Sequence, residues 1–248
     1  MKALLPCFLI LLTLISCQEE EDKLTFERLR LDENPCTDCP EISIEIPRAI
    51  ERTKTAAAIN TALREEIIAM LLFDDEVEVS DLDDALISFS NGYAELQKRY
   101  ADETTPWEAK IDGEIVYEDP KILTVQLDSY VFTGGAHGYS AKRFLNFDKQ
   151  RGVELENWQL FQNRKDFQKY AETKFREQEG ISSEAPINQT GLMFEQNRFY
   201  LPENIGFSEE GVKLLYNPYE VASYADGPIV LTLPFKEVKP YLTSNTKS

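Results

Sequence analysis

The chain has 248 residues, which suffices for one large domain or two small, closely packed ones. Its 44 acidic residues outnumber the 26 basic ones, and the net charge of −18 argues against binding to nucleic acid or to anionic lipid headgroups. The single histidine excludes a histidine-based metal centre, and no nucleophile elbow, P-loop or Rossmann fingerprint occurs. We therefore expect no cofactor and no metal ion, and we assign no catalytic residue.

The N-terminus has the pattern of a bacterial lipoprotein signal. Lys2 precedes a short apolar run from Ala3 to Ile15, which is typical of a secretory signal. A small residue then stands directly before Cys17, as in the lipobox, so we expect residues 1–16 to be removed and Cys17 to carry a palmitate-bearing lipid anchor. The alternative is a plain signal peptide with an incidental cysteine. Either way the protein is predicted to be extracytoplasmic.

Residues 17–40 are predicted to be a flexible acidic tether with one cysteine pair. Gln18–Asp22 resembles the acidic tag that sends some Gram-negative lipoproteins to the outer face of the outer membrane, so we expect that membrane and the cell surface. Cys36 and Cys39 are separated by two residues, and a disulfide is the default state of such a pair in an oxidising compartment. Thioredoxin-like redox activity is the alternative, but Asn34-Pro35 does not lead from a strand into a helix.

The next segment is predicted to contain two strands and two core helices. The strands are Leu24–Leu31 and Ile42–Ile46. Apolar residues four apart predict a helix from Pro47 to about Phe73, with Ile59, Leu63, Ile67 and Leu71 on one face. A second helix follows Ser80, its predicted N-cap, and buries Leu82, Leu86, Phe89, Tyr93, Leu96 and Tyr100.

The rest of the chain is rich in strands. A meander is predicted over Trp107–Tyr117, Ile122–Thr133 and Tyr139–Asp148. A helix over Asp166–Glu179 is followed by strands and a short helix, namely Arg198–Leu201, Gly211–Tyr216, Pro228–Leu233 and Phe235–Leu242. The fold class is α+β, an antiparallel sheet with helices packed on one face. We expect two subdomains, residues 41–150 and 151–248, packed as one unit.

A glycine cluster connects the last two strands of the meander. Gly134, Gly135 and Gly138 supply the positive φ or the closely approached backbone that a bulged hairpin needs. His137 lies in the same connection. Two interpretations stay open: the imidazole projects into a cleft as a binding or acid–base group, or it bonds to neighbouring backbone and fixes the hairpin.

A second candidate segment lies near the C-terminus. Tyr216, Tyr219 and Tyr224 are close enough to form an aromatic platform for a glycan or a protein partner, and Tyr219, Glu220 and Tyr224 are the candidate ligand-binding residues. The alternative is that the tyrosines close a core and bond at its edge.

These two segments carry a resemblance. Thr133–Gly138 followed by Leu145–Asp148 resembles the hallmark of a bacterial extracytoplasmic domain family of unknown function. Leu215–Pro228 is similar to the C-terminal signature of the same family, and the resemblance covers about Glu41 to Tyr241. The family includes the N-terminal, non-catalytic part of the peptidoglycan deacetylase PdaC and the outer domain of the anti-sigma factor RsiV, which binds lysozyme. The resemblance implies an α+β fold that binds a wall-related or lysozyme-like ligand.

The leading hypothesis is a cell-envelope lipoprotein with a non-enzymatic binding domain. Its expected partners are the membrane, through the N-terminal lipid, and either peptidoglycan or a cationic, lysozyme-like protein. One alternative is a hydrolase that acts on an envelope glycan through carboxylates, although 44 acidic residues place some pair at a suitable spacing by chance. Another is a structural partner within an envelope complex. A cleft that joins His137 to Tyr219–Tyr224 would favour a ligand site.

Overall fold

A six-stranded sheet is the scaffold of the molecule. The computed structural model describes residues 23–33, 39–73, 79–100 and 105–246. The strands lie side by side in chain order, and they are β1 (Phe26–Glu33), β2 (Glu41–Ala49), β3 (Glu108–Glu118), β4 (Ile122–Phe132), β5 (Tyr139–Asp148) and β6 (Val153–Leu155). Neighbours are antiparallel except β2 and β3, which are parallel. The sheet is therefore mixed, where a purely antiparallel one was expected.

Two helices between β2 and β3 cover one face of this sheet. They are α1 (Lys54–Leu71) and α2 (Leu82–Arg99). The predicted stripe of α1 is confirmed, since its four members are at most 1% exposed. It packs with the α2 side chains against sheet residues that include Ile44, Ile111, Val125 and Leu145. Each such side chain contributes about 1.5–3 kcal/mol on burial, so this apolar layer fixes the face that the helices occupy.

The chain after β6 forms a second unit. It contains α3 (Asn157–Leu160), α4 (Arg164–Glu179), a three-stranded antiparallel sheet and the short helix α5 (Phe235–Val238). The strands are β7 (Asn204–Ser208), β8 (Gly211–Tyr216) and β9 (Ile229–Leu233). Phe175 of α4 lies against an aromatic cluster of Phe194, Phe199 and Tyr216, with ring centroids 5.4–5.7 Å apart. The α+β class is confirmed in both units.

The second unit packs on the sheet face that α1 and α2 leave open. Asn146 of β5 is buried there, and its Nδ2 donates to the backbone oxygen of Ile205 at 2.7 Å while its Oδ1 accepts from Thr124 at 2.9 Å. The ring of Phe144 lies where Gly206 has no side chain. The second half of β5 is covered on both faces, since Leu145 and Phe147 pack against the helices, and its residues from Phe144 onward are buried, whereas the first residues of the strand are not.

The predicted starts of α1 and α2 were wrong. Pro47 does not begin α1, because β2 continues to Ala49. Pro47 is paired with Arg28 of β1 but lies beyond the last residue of β2 that pairs with β3, so β2 has only one neighbouring strand there and tolerates a proline. Thr53 caps α1 instead, and Asp81 rather than Ser80 caps α2 by accepting from the Asp84 amide at 2.9 Å.

The predicted strand Arg198–Leu201 is absent from the described structure, and β7 begins at Asn204 instead. Side chains bind the backbone there in place of a sheet partner. The oxygen of Phe199 accepts from Gln168 Nε2 at 3.0 Å, and that of Tyr200 accepts from the Tyr216 hydroxyl at 2.6 Å.

The cysteine predictions fall largely outside the described residues. Cys17 and Cys36 are not among them, while Cys39 is disulfide-bonded. No helix within the described ranges is both long and apolar enough to cross a membrane.

Candidate functional site

The glycines of the β4–β5 connection have different physical roles. Gly134 and Gly135 have φ angles of 100° and 91°. In this region of backbone conformation a residue with a side chain is strained, whereas glycine is not. Gly138 has no such angle. Instead the Tyr130 ring of β4 lies so close that a Cβ added at Gly138 would stand 2.5 Å from its Cε2 and Cζ. Gly134 and Gly135 therefore shape the turn, and Gly138 makes room for Tyr130.

His137 and the C-terminal tyrosines meet in one stack of rings. The centroid of the His137 imidazole lies 4.5 Å from that of the Tyr224 ring, at an interplanar angle of 17°. The Tyr219 ring also stacks on the Tyr224 ring, with centroids 5.4 Å apart. His137 Nδ1 lies 2.9 Å from the oxygen of Gly138, which also accepts from the Tyr224 hydroxyl at 3.2 Å. A carbonyl oxygen can only accept a hydrogen bond, so Nδ1 is assigned the proton. In a neutral imidazole Nε2 is then a hydrogen-bond acceptor.

Tyr219 is strained and exposed at once. Its φ angle is 70°, and 56% of the residue is accessible to solvent. A side chain in this region costs about 1–3 kcal/mol and persists where surrounding structure fixes it. Strain at an exposed aromatic residue is a feature of binding sites.

Asn217 fastens the C-terminal segment to β5. Its Oδ1 accepts from the Lys142 amide and its Nδ2 donates to the Lys142 oxygen, both at 2.9 Å. β6 pairs with β5 only from Asn146 onward, so the Asn217 side chain takes the place of a neighbouring strand at Lys142. The two sequence motifs are thereby held together.

Glu220 makes hydrogen bonds within its own turn. Its carboxylate accepts from the Asn217 backbone amide at 3.0 Å, and its own backbone oxygen accepts from the Tyr200 hydroxyl at 3.1 Å. Burial raises the pKa of Glu220, an effect that the Asn217 hydrogen bond opposes. A carboxylate engaged in this way closes the Asn217–Glu220 turn.

A cavity of about 260 Å³ lies between the open face of the sheet and the C-terminal segment. Most of the residues that line it are charged or polar, and we call it the polar cavity after them, although most of the surface that they expose there is apolar. Its floor consists of two rows of side chains, and each row runs across β3, β4 and β5 through residues that are paired between neighbouring strands. One row is Asp112, Asp128 and Lys142, and the other is Lys110, Tyr130 and Ser140. Asn217, Pro218 and Pro228 form the wall.

The charges of this cavity are balanced. Lys142 Nζ lies 2.7 Å from Asp128 Oδ1, and Lys110 Nζ lies 3.6 Å from Asp112 Oδ2. Gln126 also donates to Asp128 at 2.9 Å. The cavity thus offers donors, acceptors and one aromatic ring without net charge, a composition suited to a neutral polar ligand.

The predicted site residues surround this cavity without lining it. None of Gly134, Gly135, His137, Gly138, Tyr219, Glu220 and Tyr224 is among its lining residues, although all but Glu220 belong to the glycine turn or the ring stack beside it. The lining residues of β3 were missed. The available signal was the polar alternation of Lys110 and Asp112 in a strand whose intervening Ile111 is buried.

A separate carboxylate pair lies on the opposite face of the sheet. Arg143 points away from Lys142, and its Nε lies 2.7 Å from Glu66 of α1. Partial desolvation raises the pKa of Glu66, and it raises that of Glu154 together with repulsion from the Glu66 carboxylate. Within the described ranges, no cluster of three or more His, Cys, Asp or Glu side chains could hold a metal ion.

The comparisons with known proteins concern both halves of the chain. The family profile described as "Deacetylase PdaC" matches residues 33–140, and that described as "Protein of unknown function (DUF3298)" matches residues 159–236. The chain is a PdaC/DUF3298 domain protein. The glycine turn of this PdaC/DUF3298 protein lies in the first match and the Asn217–Pro228 segment in the second, so the polar cavity lies between the two family domains.

Two crystal structures of DUF3298 family proteins share the fold. One, from Pseudomonas aeruginosa PAO1, has a TM-score of 0.67 and 19% identity, and the match covers 92% of this chain and 98% of that one. The other, from Bacteroides fragilis NCTC 9343, has a TM-score of 0.69 and 18% identity, with 90% and 94% covered. A sequence search of curated proteins finds no match to this PdaC/DUF3298 protein.

Proposed function

We propose that this protein is a non-enzymatic, extracytoplasmic binding domain that holds a sugar unit of a peptidoglycan-related envelope glycan in its polar cavity. The observation that carries the proposal is the convergence of both family motifs on this cavity. Gly138 makes room for Tyr130 in its floor, and Asn217 joins its wall to Lys142.

The lining chemistry supports a sugar. A pyranose has apolar C–H faces that pack on an aromatic ring, and hydroxyl groups that both donate and accept hydrogen bonds. Tyr130 supplies the ring, while the two lysine–aspartate pairs, Ser140 and Asn217 supply donors and acceptors. The volume lies below the ~300–1,000 Å³ of sites for drug-sized ligands, so we expect one sugar unit to be enclosed.

The exposed ring stack would extend this site. Tyr219, Tyr224 and His137 lie beside the cavity wall and present stacked rings at the surface. Neighbouring sugar units of the same glycan would pack on these rings. The strained backbone of Tyr219 would then hold its ring in the position that contacts the glycan.

The test is titration of the folded domain with soluble peptidoglycan fragments, followed by NMR or calorimetry. Tyr130→Leu should weaken binding at least tenfold because it removes the aromatic floor. Trp158→Leu is the matched control, since Trp158 is an aromatic residue of α3 that is 63% exposed and does not line the cavity. Equal affinity of both variants, or no binding by the wild type, contradicts the proposal.

The same titration addresses the hydrolase alternative. Asp112 and Asp128 face each other across β3 and β4, and opposed side chains of neighbouring strands have Cβ atoms about 4.5–5.5 Å apart. Side chains placed in this way can bring their carboxyl groups to the ~5–5.5 Å separation of retaining glycosidases. New reducing ends that disappear in Asp128→Asn would support the hydrolase and refute the non-enzymatic proposal.

A cationic protein partner is the second candidate, and the net charge of −18 favours it. Attraction over long range would speed association with lysozyme at low salt, but exposed charges more than ~8 Å apart are screened at physiological ionic strength. The test compares lysozyme with cytochrome c, which is equally cationic and unrelated. Specific binding requires lysozyme affinity that survives physiological salt, and equal weak binding to both proteins rejects this partner.

The proposal places the domain on a bacterial membrane through Cys17. The supporting observation is the signal-like N-terminal sequence that ends in a small residue before that cysteine. Cys17→Ser should leave the protein unprocessed or release it into soluble fractions. Equal membrane partition of mutant and wild type would refute lipid anchoring.

A further inference from the structure

A second cavity lies on the other side of the six-stranded sheet. It measures about 130 Å³ and is enclosed by β1, β2, α1 and the start of α2. Its apolar lining consists of Leu29, Ile46, Pro47, Leu63 and Leu82, and its polar lining consists of Arg48, Asn60 and Arg64. Among the residues that the structure describes, none that lines this cavity carries a carboxylate.

Two of its three polar side chains are already engaged. Asn60 uses both amide atoms on the backbone of Ala49, with each distance 2.9 Å. Arg48 is paired with Glu27, to which its Nε donates at 2.6 Å. Neither side chain therefore needs a ligand.

Arg64 is different. Its Nε is buried and meets no hydrogen-bond acceptor, and no carboxylate among the described residues forms an ion pair with its guanidinium group. Arginine stays charged in proteins and its N–H groups can only donate. A buried donor without a protein acceptor is rare in folded proteins and is satisfied by an ordered water or by a bound ligand.

We propose that this cavity binds a monocarboxylate with a short, branched apolar chain. One carboxylate oxygen accepts from Arg64, and the alkyl chain packs against Leu29, Leu63 and Leu82. Arg64 is the guanidinium of this lining without a carboxylate partner among the described residues, and one such cation beside five apolar side chains matches one negative charge on an apolar body. A hydroxylated ligand would lose its hydrogen bonds on the leucine side chains, so an apolar chain fits this lining better.

The same chemistry has two sources, a free short-chain acid or the C-terminal carboxylate of a peptide that ends in an aliphatic residue. The probes are isovalerate for the first and N-acetyl-leucine for the second, with isovaleramide as the uncharged control. Tighter binding of isovalerate identifies a free acid, and tighter binding of N-acetyl-leucine identifies a peptide end.

Binding is measured by NMR on the arginine Nε–Hε signals of the folded protein. Both carboxylates should shift one such signal, which Arg64→Lys removes, and isovaleramide should bind at least tenfold more weakly than isovalerate. Arg64→Met should weaken binding at least tenfold, whereas Arg99→Met, at an exposed arginine of α2, should leave it unchanged. Equal binding of acid and amide on the wild type, or no shift with either acid, overturns the proposal even if an Arg64 variant fails to fold. Neither result bears on the glycan cavity.

Discussion

Gly135 and Gly138 lie three residues apart in one turn, but alanine should act on them by different mechanisms. At Gly135 no atom lies within 4 Å of an added Cβ, so the cost is the φ angle of 91° alone, about 1–2 kcal/mol of unfolding free energy. At Gly138 an added Cβ would stand 2.5 Å from Tyr130 ring carbons, whereas carbon atoms normally approach to about 3.5 Å. The Tyr130 ring must therefore retreat by about 1 Å.

The retreat is possible because the contacted atoms lie at the far end of a side chain. Forcing that side chain off its rotamer costs about 0.5–1.5 kcal/mol. The two single variants therefore lose similar stability, and a double-mutant cycle with Tyr130→Ala must separate them. Without the Tyr130 ring, Gly138→Ala should cost almost nothing, while Gly135→Ala should cost as much as before.

Urea unfolding of the wild type, the three single variants and the two double variants gives their free energies of unfolding. Glycan titration of the same proteins gives their binding affinities. Gly138→Ala should weaken binding because it displaces the aromatic floor of the cavity, and Gly135→Ala should not. If Gly138→Ala costs the same with and without Tyr130, the steric account of this glycine is wrong.

Three further predictions concern stability and redox state. Asn217→Ala removes two hydrogen bonds to the β5 backbone and should cost about 1–3 kcal/mol in urea unfolding; an unchanged midpoint would show that the two units hold together without it. Because the folded-state pKa values of Glu66 and Glu154 are raised, stability should be highest below their unfolded pKa and fall as pH rises through the folded values. Glu154→Gln should accordingly raise the urea midpoint at pH 7 but not at pH 4, and a benefit equal at both pH values would exclude the electrostatic cause. Cys36 and Cys39 should resist a thiol label until reductant is added, and ready labelling without it would argue for free thiols.

The sequence predicted correctly those helices and strands in which apolar residues repeat along one buried face. The stripe of α1 has a four-residue repeat, and the side chains of α1 are buried as that repeat requires. The parallel pairing of β2 and β3 could also have been predicted. Two helices separate these strands, and a long crossover is what a parallel pair needs.

The site was harder to predict because its lining depends on register. Asp112, Asp128 and Lys142 form one row only because three strands pair in a specific alignment, and a shift of one residue would turn every one of them to the other face. The motif residues lie in the glycine turn and the ring stack, and their predicted role in ligand binding stays a prediction. Gly138 is needed for the space that Tyr130 fills, a property of the folded backbone that the glycine alone does not reveal.

Lys142 connects ligand binding with the packing of the two family domains. Its side chain pairs with Asp128 in the cavity floor, and its backbone is held by Asn217 from the second domain. A ligand that contacts the floor and the Asn217–Pro218 wall together therefore binds only the docked arrangement. By linkage, such a ligand stabilises the docked state, by about 2.7 kcal/mol at a free concentration of one hundred times Kd. If the cavity binds the proposed glycan, each family domain needs the other, since neither lines the whole cavity alone.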